Sequence, residues 1–529
     1  MMKIGAQCIW MTAGPLTEWR FHTRNSLVDK SSHVRSVRRP SGRVARPSRA
    51  LAPACFLLSL IVLATVTPRV TEGDPPFVNG GTVNDVTLGV QAGVSIARWV
   101  DGRFAVVWHD SRNEGVGFRN YDIYFRTLGP SGVAEAASIR VNDDATTRDQ
   151  TFPVVAVDSF GYVHVAWVDV RNGVSQIYYA RSRNGITFEA NVGVNQSTGT
   201  QIHPAIATDR EGDPHVAWAD LRGGDSDVYY AESSDGGTSF GSAVRLDDDQ
   251  SDAIQANPTI SINATNGAWV AWTDYRNDQD GRFFDGGGSD GFNDADVYLA
   301  GLGGDWFPNV RVDDDLGRTS QGVPEIAHAL DGTLIIAWLD FRNDADGYPV
   351  DDWIAEGGVD GVNRAELLIR MLVPGGTAFT TTVQANDNLV ASERAHPTMA
   401  VDGERLHLAW ADERNNRTNA DIYYTNTTLP LRAFARNLRA NDDLPTASRA
   451  APALAVGSSV VVIAWDEWRD DSETDVFTAV LTPAGDGIPP PGGVDGSVFG
   501  GVVVVIAVSV LVVASGVVVR RRRRHDDKP

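Results

Sequence analysis

Four short apolar segments follow one another in a fixed order along most of this chain. One copy begins with "PAIATD" at Pro204, continues with "HVAW" and "DVYYA", and ends with "VRLDDD" before Gln250. The segments alternate apolar and polar positions, are rich in β-branched and aromatic residues, and are separated by Gly, Asn and Asp. This pattern predicts β-strands joined by turns, and we find no convincing helical periodicity before the apolar segment near the C-terminus.

The tryptophan that closes the second segment marks a repeat. It occurs seven times, at Trp108, Trp167, Trp218, Trp272, Trp338, Trp410 and Trp465. Four strands in each of seven repeats predict an all-β fold, a seven-bladed β-propeller with four-stranded antiparallel blades. We predict that the propeller spans residues 78–482, with blades near 94–143, 153–197, 204–249, 258–315, 324–388, 397–443 and 452–482 plus 78–88.

The last repeat predicts how the ring closes. It has only three strands before a Pro- and Gly-rich segment, so its outer strand is missing. Upstream of the first repeat, Val83-Asn84-Asp85 resembles the strand-four tail Val141-Asn142-Asp143. We therefore expect the N-terminal segment to supply the outer strand of the last blade, which removes the free edges of the sheet.

The two ends of the chain predict export and anchoring. Residues 1–72 form a basic leader with an apolar run, which is typical of a signal peptide or a signal anchor. We predict that residues 483–497 form a Pro/Gly stalk, that 498–519 form one transmembrane helix and that 520–529 form an Arg-rich cytoplasmic tail. The prediction is a single-pass membrane protein with an extracytoplasmic propeller and a cytoplasmic C-terminus.

Composition narrows the chemistry of the propeller. Cys8 and Cys55 both lie in the leader, so the propeller has neither disulfides nor thiolate metal sites. The formal net charge is −22, although both ends are basic. An acidic surface disfavours nucleic acid and favours cations or cationic partners, and it is also typical of a solvated surface adapted to high salt. No motif for an organic cofactor is visible.

An acidic residue and an arginine follow the repeated tryptophan in every copy. A catalytic site must break the sevenfold symmetry because its members have different roles, so we interpret these pairs as structural salt bridges at the strand ends. The pairs are Asp110 and Arg112, Asp169 and Arg171, Asp220 and Arg222, Asp274 and Arg276, Asp340 and Arg342, Asp412 and Arg414, and Glu467 and Arg469.

The turn after the third segment carries a family resemblance. The pattern Ser233-x-Asp235-x-Gly237-x-x-Phe240 resembles the Asp-box, or BNR repeat, of sialidase-like β-propellers, and "SRNGITF" from Ser182 is similar to a degenerate copy. In that family the box is a structural turn remote from the active site, so the resemblance implies a scaffold without conferring an activity. The Arg-Ile-Pro element that usually supplies the first arginine of the sialidase triad is absent.

Two expanded loops break the repeat and are candidate metal sites. Both follow the second strand, in blades four and five, and both open with Asn-Asp-x-Asp-Gly. Dense carboxylate oxygens around glycine turns suit a hard cation such as Ca²⁺, whereas neither loop has the EF-hand spacing. The alternative is two hydrophilic surface loops. The candidate ligands are Asp278, Asp280 and Asp285, and Asp344, Asp346 and Asp351.

These features favour ligand binding or adhesion at the cell surface, with a glycan or another envelope component as partner, and we predict no catalytic residue. An exo-acting glycoside hydrolase and a purely structural envelope protein are the alternatives. A hydrolase would need an asymmetric cluster in the central channel, at the face of the propeller where the second and fourth strands end. This cluster would contain arginines and either a Tyr–Glu pair or paired carboxylates. His203 and His396 precede first-strand prolines, and we interpret them as packed or turn residues.

Overall fold

Within the residues that it describes, the computed structural model has 28 β-strands in seven four-stranded antiparallel sheets. The described residues are 77–481 except 114–119, 196, 278–294, 302–307, 318, 344–364, 388–391, 393, 416–418, 443–446, 458–459 and 469–473. The predicted seven-bladed β-propeller is confirmed. None of these residues belongs to a helix able to cross a membrane, and the segment 498–519 lies outside them.

Each blade is a meander of four strands. The first strands are β2 (Gln91–Arg98), β6 (Gln150–Val157), β10 (Gln201–Thr208), β14 (Gln255–Ile262), β18 (Gln321–His328), β22 (Arg394–Asp402) and β26 (Ser448–Val456). The second strands are β3 (Phe104–Asp110), β7 (Val163–Asp169), β11 (Pro214–Asp220), β15 (Ala268–Asp274), β19 (Leu334–Asp340), β23 (Arg405–Asp412) and β27 (Val461–Trp468). The third strands are β4 (Asp122–Leu128), β8 (Gln176–Ser182), β12 (Asp227–Glu232), β16 (Asp296–Gly301), β20 (Glu366–Leu372), β24 (Asp421–Thr428) and β28 (Thr474–Leu481). The outer strands are β5 (Ile139–Arg140), β9 (Val192–Gly193), β13 (Val244–Arg245), β17 (Val310–Arg311), β21 (Val383–Gln384), β25 (Leu438–Arg439) and β1 (Phe77–Thr82).

The ring closes through its N-terminal strand, as the sequence predicts. β1 pairs antiparallel with β28, and Phe77 lies opposite Leu481. The side chain of Asn84 then accepts a hydrogen bond from the backbone N–H of Val476 at 2.9 Å. First strands of successive blades lie side by side around the axis, and β26 lies beside β2. We call the edge where the first strands begin the top and the opposite edge, where Phe77 and Leu481 lie, the bottom.

The hydrophobic core lies between blades. The repeated tryptophans at 108, 167, 218, 272, 338 and 410 are fully buried. Trp167 of the second blade, for example, packs in one cluster with Val107 and Phe125 of the first blade. Each second strand is buried along almost its whole length, because one face meets the preceding blade and the other the following blade. This two-sided burial explains why the second strands are nearly continuous apolar runs.

The turn from Ser233 to Phe240 fixes the bottom edge between blades two and three. Ser233 Oγ accepts hydrogen bonds from the N–H groups of Asp235 and Gly237, at 3.1 and 2.8 Å. The carboxylate of Asp235 accepts the N–H and the hydroxyl of Ser239. Phe240 then packs edge to face on Tyr179 of the second blade, with ring centroids 5.2 Å apart. The turn therefore stabilises the contact between the two blades.

We expect the substitution Gly237→Ala to lower the free energy of unfolding by about 2 kcal/mol. Gly237 has a φ of 89°, and an added Cβ would overlap the hydroxyl of Tyr179. Gly173 is a matched control, because its φ of 84° is similar but a Cβ there meets nothing within 4 Å. Gly173→Ala should cost only about 1 kcal/mol, the backbone part alone. Equal losses in denaturant unfolding of the two variants would contradict the packing argument.

Candidate functional site

The Asp–Arg pairs form the same network in the first six blades. In the six blades with Asp, the arginine Nη2 lies 2.5–2.8 Å from the aspartate, which also accepts the Nε1–H of the repeated tryptophan at 2.7–3.0 Å. In five blades the guanidinium lies over a third-strand tyrosine ring at 3.9–4.2 Å. In the seventh blade Trp465 donates to Glu467, and Arg469 lies outside the described residues.

Most of these arginines also reach across a blade boundary. Five of the arginines contact the second residue of the acidic tail that ends the preceding blade, with nitrogen–oxygen distances of 2.6–3.0 Å. The contacts are Arg112 with Asp85, Arg171 with Asp143, Arg276 with Asp248, Arg342 with Asp314, and Arg414 with Asp387. Because the first of these contacts joins the N-terminal segment to the first blade, it also supports closure of the ring. The guanidinium groups are engaged in structural contacts.

An aspartate pair distinguishes the third and fourth blades from the others. In the first blade Asn142 of the acidic tail donates to Asp122 at 2.7 Å, and Asn441 and Asn84 make the equivalent bond in blades six and seven. The third and fourth blades have Asp in place of this asparagine. Asp247 therefore faces Asp227, and Asp313 faces Asp296.

A single arginine bridges each of these carboxylate pairs. Arg245 Nη2 lies 2.8 Å from Asp227 and 2.6 Å from Asp247, and Arg311 occupies the equivalent place in the fourth blade. Burial, followed by the charge of the facing carboxylate, raises the pKa of Asp227 and of Asp313 to about 7. Each pair therefore holds a proton near neutral pH.

The first strands carry a repeated backbone distortion at the top of the channel. Each has a register shift near its start, and the residue just before the proline (before Val94 in the first blade) has a φ between 47° and 67°. We call the seven residues with this backbone conformation the ring residues. They are Gly93, Phe152, His203, Asn257, Val323, His396 and Ala451. Residues before proline normally adopt extended conformations, and β-branched Val323 is especially unfavourable in the left-handed region.

The neighbouring blade holds this distorted backbone in place. The N–H of Val323 donates to Thr273 Oγ1 of the preceding blade at 3.0 Å. In the first blade the N–H groups of Gly93 and Val94 donate to the carboxylate of Asp466, at 2.8 and 3.4 Å. The conformation is thus built into the contact between blades, whereas the ring side chains differ from blade to blade. Repeated backbone with varied side chains is the asymmetry that a specific site requires.

Aromatic rings form a continuous series along one side of the channel mouth. Tyr121 contacts His109 with centroids 5.1 Å apart, His109 contacts Phe152 at 6.0 Å, and Phe152 contacts His203 at 6.4 Å. We call these four residues the aromatic ridge. Phe152 is 51% exposed, although the residues around it are largely buried. An exposed phenylalanine held in a strained backbone conformation is a candidate contact for a ligand.

Four titratable side chains near the channel are held in neutral forms. Burial lowers the pKa of His109, His203 and His396 to about 4, so their imidazoles are uncharged near neutral pH. Glu325, two residues beyond the ring residue Val323, has its pKa raised to about 8 by burial. It is nevertheless partly accessible, and no hydrogen bond to its carboxyl is found among the described residues. The mouth therefore offers uncharged donors and acceptors beside an aromatic surface.

A tyrosine–glutamate pair does occur, but at the other edge of the propeller. The hydroxyl of Tyr230 donates to Glu232 at 2.6 Å near the bottom of the third blade. Burial and the bond to Glu232 raise the pKa of Tyr230, which is opposite to what a nucleophile needs. No ring residue is arginine. Arg394 and Arg449, at the top of blades six and seven, are buried and paired with Asp412 and Glu467.

The predicted calcium ligands all lie in the segments 278–294 and 344–364, outside the described residues. Among the residues that are described, no group of three His, Cys, Asp or Glu side chains is arranged to hold a metal ion. Sequence reasoning missed the ring. The available signal was a position that varies among seven otherwise similar repeats, in front of a repeated proline.

No protein-family model and no curated protein sequence matches this chain. Solved structures are similar to it at low identity. A polysaccharide lyase, an ulvan lyase bound to -[GlcA(1-4)Rha3S]-, is 14% identical over 77% of this chain and 95% of its own, with a TM-score of 0.49. A Penicillium chrysogenum α-L-arabinanase complexed with arabinobiose is 11% identical over 77% of this chain and 97% of its own, with a TM-score of 0.42. The Hadza microbial sialidase Hz136 is 12% identical over 74% of this chain and 65% of its own, with a TM-score of 0.40. The likeness to these proteins is one of scaffold.

Proposed function

We propose that this protein binds a neutral glycan at the top of its central channel. The observation that carries the proposal is the ring of strained first-strand residues, from which Phe152 presents an exposed aromatic face beside His109 and His203. Sugar rings have apolar C–H faces and polar edges, so they fit an aromatic surface flanked by hydrogen-bonding groups. The scaffold supplies the same backbone seven times, and the varied ring side chains supply the specificity.

Electrostatics favour an uncharged sugar over an acidic one. His109, His203 and His396 are neutral at neutral pH, Glu325 is protonated, and no arginine belongs to the ring. The surrounding top edge carries acidic tails, such as Asp143 and Asp248, that are about half exposed. A carboxylated or sulfated glycan would be repelled by this edge and would find no cationic partner among the ring side chains.

Phe152→Ala should weaken glycan binding about tenfold, equivalent to a loss of about 1.4 kcal/mol of stacking and burial. The ligand is first identified by presenting the detergent-solubilised full chain to an array of neutral and acidic glycans. Phe160→Ala is the matched control, because Phe160 is 67% exposed but lies in a bottom hairpin. Binding restricted to acidic glycans, or equal effects of the two substitutions, would contradict the proposal.

Hydrolysis of a bound glycan is a second candidate, and Glu325 is the observation that favours it. A carboxyl whose pKa is about 8 retains its proton at neutral pH and can donate it to a leaving oxygen. We expect Glu325→Gln to abolish any cleavage of the array ligand while leaving its binding within about twofold. Cleavage that survives this substitution would exclude Glu325 as the proton donor, and absence of cleavage by the unaltered chain would leave binding alone.

We also propose that residues 498–519 anchor the propeller at a cell surface, where it acts in adhesion. Both chain ends of the propeller lie at the bottom edge, because Phe77 pairs with Leu481 there. An anchor beyond Leu481 would leave the channel mouth facing away from the membrane, which suits capture of an external glycan. Alkaline carbonate extraction tests the anchor, since a spanning chain stays in the membrane fraction and a peripheral one is released.

Calcium binding by the two expanded loops is a further expectation. Added Ca²⁺ should raise the Tm of the full chain, and the combined substitutions Asp278→Asn and Asp280→Asn should remove that rise. Asp331→Asn serves as a control, because Asp331 is an exposed turn residue at the bottom edge. An unchanged Tm at saturating Ca²⁺ would eliminate the expectation.

A further inference from the structure

Three loops at the bottom of the first two blades expose large apolar side chains. Val100 lies in the hairpin between β2 and β3, Phe160 in the hairpin between β6 and β7, and Ile186 in the turn after β8. Their exposed fractions are 66%, 67% and 68%. We call these three residues the basal patch. In a hairpin that needs only polar turn residues, an exposed phenylalanine or isoleucine is not required by the fold.

The indole of Trp99 brings the three loops together. Its Nε1 donates to the carbonyl of Gly161 at 2.7 Å, next to Phe160 in the chain. Val100 follows Trp99 directly, and a Cβ on Gly161 would lie 3.8 Å from Val100 Cγ2. At Gly185, which precedes Ile186, a Cβ would lie 2.5 Å from the indole ring. Glycine is therefore needed at 185 because a side chain would overlap the indole, and at 161 because of its φ of 89°. The three apolar tips stand around one buried tryptophan ring.

Charged side chains of both signs surround the basal patch. Arg98 and Arg183 are exposed there. Two neighbouring acids are paired with arginines, Asp101 with Arg103 at 2.8 Å and Glu189 with Arg181 at 2.9 Å. Two exposed arginines thus stand beside the apolar tips, in a chain whose formal net charge is −22. Apolar tips with arginines beside them match the boundary between lipid headgroups and acyl chains.

The basal patch also lies near the place where the chain leaves the propeller. The bottom loop of the first blade contacts the last strand of the ring, since a Cβ on Gly132 would meet the side chain of Val480. Leu481 ends β28 at the same edge, and only residues 482–497 separate it from the apolar segment 498–519. This short connection keeps the bottom edge within reach of a membrane that holds that segment.

We infer that the basal patch docks on the lipid surface of the membrane, so that the propeller rests on the bilayer with its channel mouth outward. The inference rests on the proposed anchor. Docking would fix the orientation of the propeller relative to the bilayer. Insertion of three side chains is too weak to hold a protein by itself, but the anchor raises the effective concentration of the membrane surface.

The test is a depth measurement on the full chain in vesicles of equal parts phosphatidylcholine and phosphatidylglycerol. In a Cys8→Ser, Cys55→Ser background, a fluorescent probe is attached to Ile186→Cys or, as the top-edge control, to Val174→Cys. Val174 is 38% exposed in the turn after β7. Doxyl-labelled lipids should quench the probe at 186 severalfold more than the probe at 174. Phe160→Asp with Val100→Asp should abolish that difference.

Two outcomes would overturn the inference. Equal quenching at 186 and 174 would show that the basal patch does not touch lipid. A difference that disappears as the number of protein molecules per vesicle rises would assign the basal patch to contact with a second copy. Carbonate extraction of the same samples separates these results from failure of the anchor, because an anchored chain stays with the vesicles whether or not the propeller lies down.

Discussion

Asp412→Ala should lower the free energy of unfolding by about 3–5 kcal/mol, as expected when one partner of a buried ion pair is removed. The carboxylate is almost fully buried and accepts bonds from Trp410 Nε1 at 3.0 Å and from the guanidinium of Arg414 at 2.7 Å. It also accepts a bond from Arg394 Nε at 3.1 Å. Burial opposes its ionisation, but the two arginines outweigh this and hold the pKa of Asp412 below its usual value.

The control is Asp387→Ala, which removes another carboxylate bonded to the same arginine. Asp387 accepts from Arg414 Nη1 at 2.9 Å, but its side chain is 40% exposed. A solvent-exposed ion pair contributes at most about 1 kcal/mol, so this variant should unfold close to the unaltered protein. Denaturant unfolding of both variants measures the contrast. Similar small losses would mean that the repeated pair is a surface feature and does not organise the blade.

Asp247→Asn together with Asp313→Asn should stabilise the protein above about pH 8, by about 2–4 kcal/mol for each pair. The folded-state pKa of Asp227 and of Asp313 is about 7, above the ordinary value of 3.8, so the folded protein binds protons that the unfolded chain releases. The stability from these pairs is fully present below about pH 4 and is lost as the pH rises through about 7. An asparagine amide can donate to the facing aspartate, so the pair no longer needs to bind a proton.

The neighbouring glutamine supports this expectation independently of any titration. In the second blade Gln150 donates to Asp144 and accepts from Asn142 at 3.0 Å. Gln255 and Gln321 donate in the same way to Asp249 and Asp315, but their buried Oε1 atoms have no hydrogen-bond donor among the described residues. An asparagine amide at position 247 or 313 would supply that donor, as Asn142 does.

Other charged and polar groups also face the two carboxylate pairs. Arg245 bridges the pair, while Asp220 and Asp225 face Asp227, and Asp274 faces Asp247. In the fourth blade Arg311 bridges the pair, and Asn277 and Asp274 face Asp296. All of these groups remain in the double variant. The measurement is the free energy of unfolding between pH 5 and 9, which should be flatter for the double variant.

Asp248→Asn is the control for the carboxylate pairs, since it makes the same chemical change one residue along the tail. Burial opposes the ionisation of Asp248, but Arg276 and the N–H of Asn309 together outweigh it and lower the pKa of Asp248, so this residue is ionised in the folded protein. Its substitution should slightly reduce stability and leave the pH dependence unchanged. An unchanged pH profile in the double variant would show that the pairs do not hold the protons.

The scaffold could be predicted because its determinants are local and repeated. Alternating side chains identify strands, and seven tryptophans at a similar spacing identify blades. The Asp–Arg contacts were also accessible, since both residues stand two positions apart at the end of one strand. Asp247 and Asp227 show the limit, because they are twenty residues apart and meet only through the pairing of β12 with β13. Nothing in the tail "LDDD" distinguishes the paired aspartate from its exposed neighbours.

The sequence by itself determined the number of blades, the order of strands and the closure by the N-terminal segment, because each follows from a periodic pattern. Only the tertiary structure decided which side chains meet at the proposed binding site. Six of the seven ring residues stand before prolines, which favour extended backbone. At Gly93 and Val323, hydrogen bonds to the preceding blade hold the left-handed conformation. The aromatic ridge and the basal patch likewise join residues from different blades. Contacts across blades depend on how the sheets pack, and no local pattern in the chain records them.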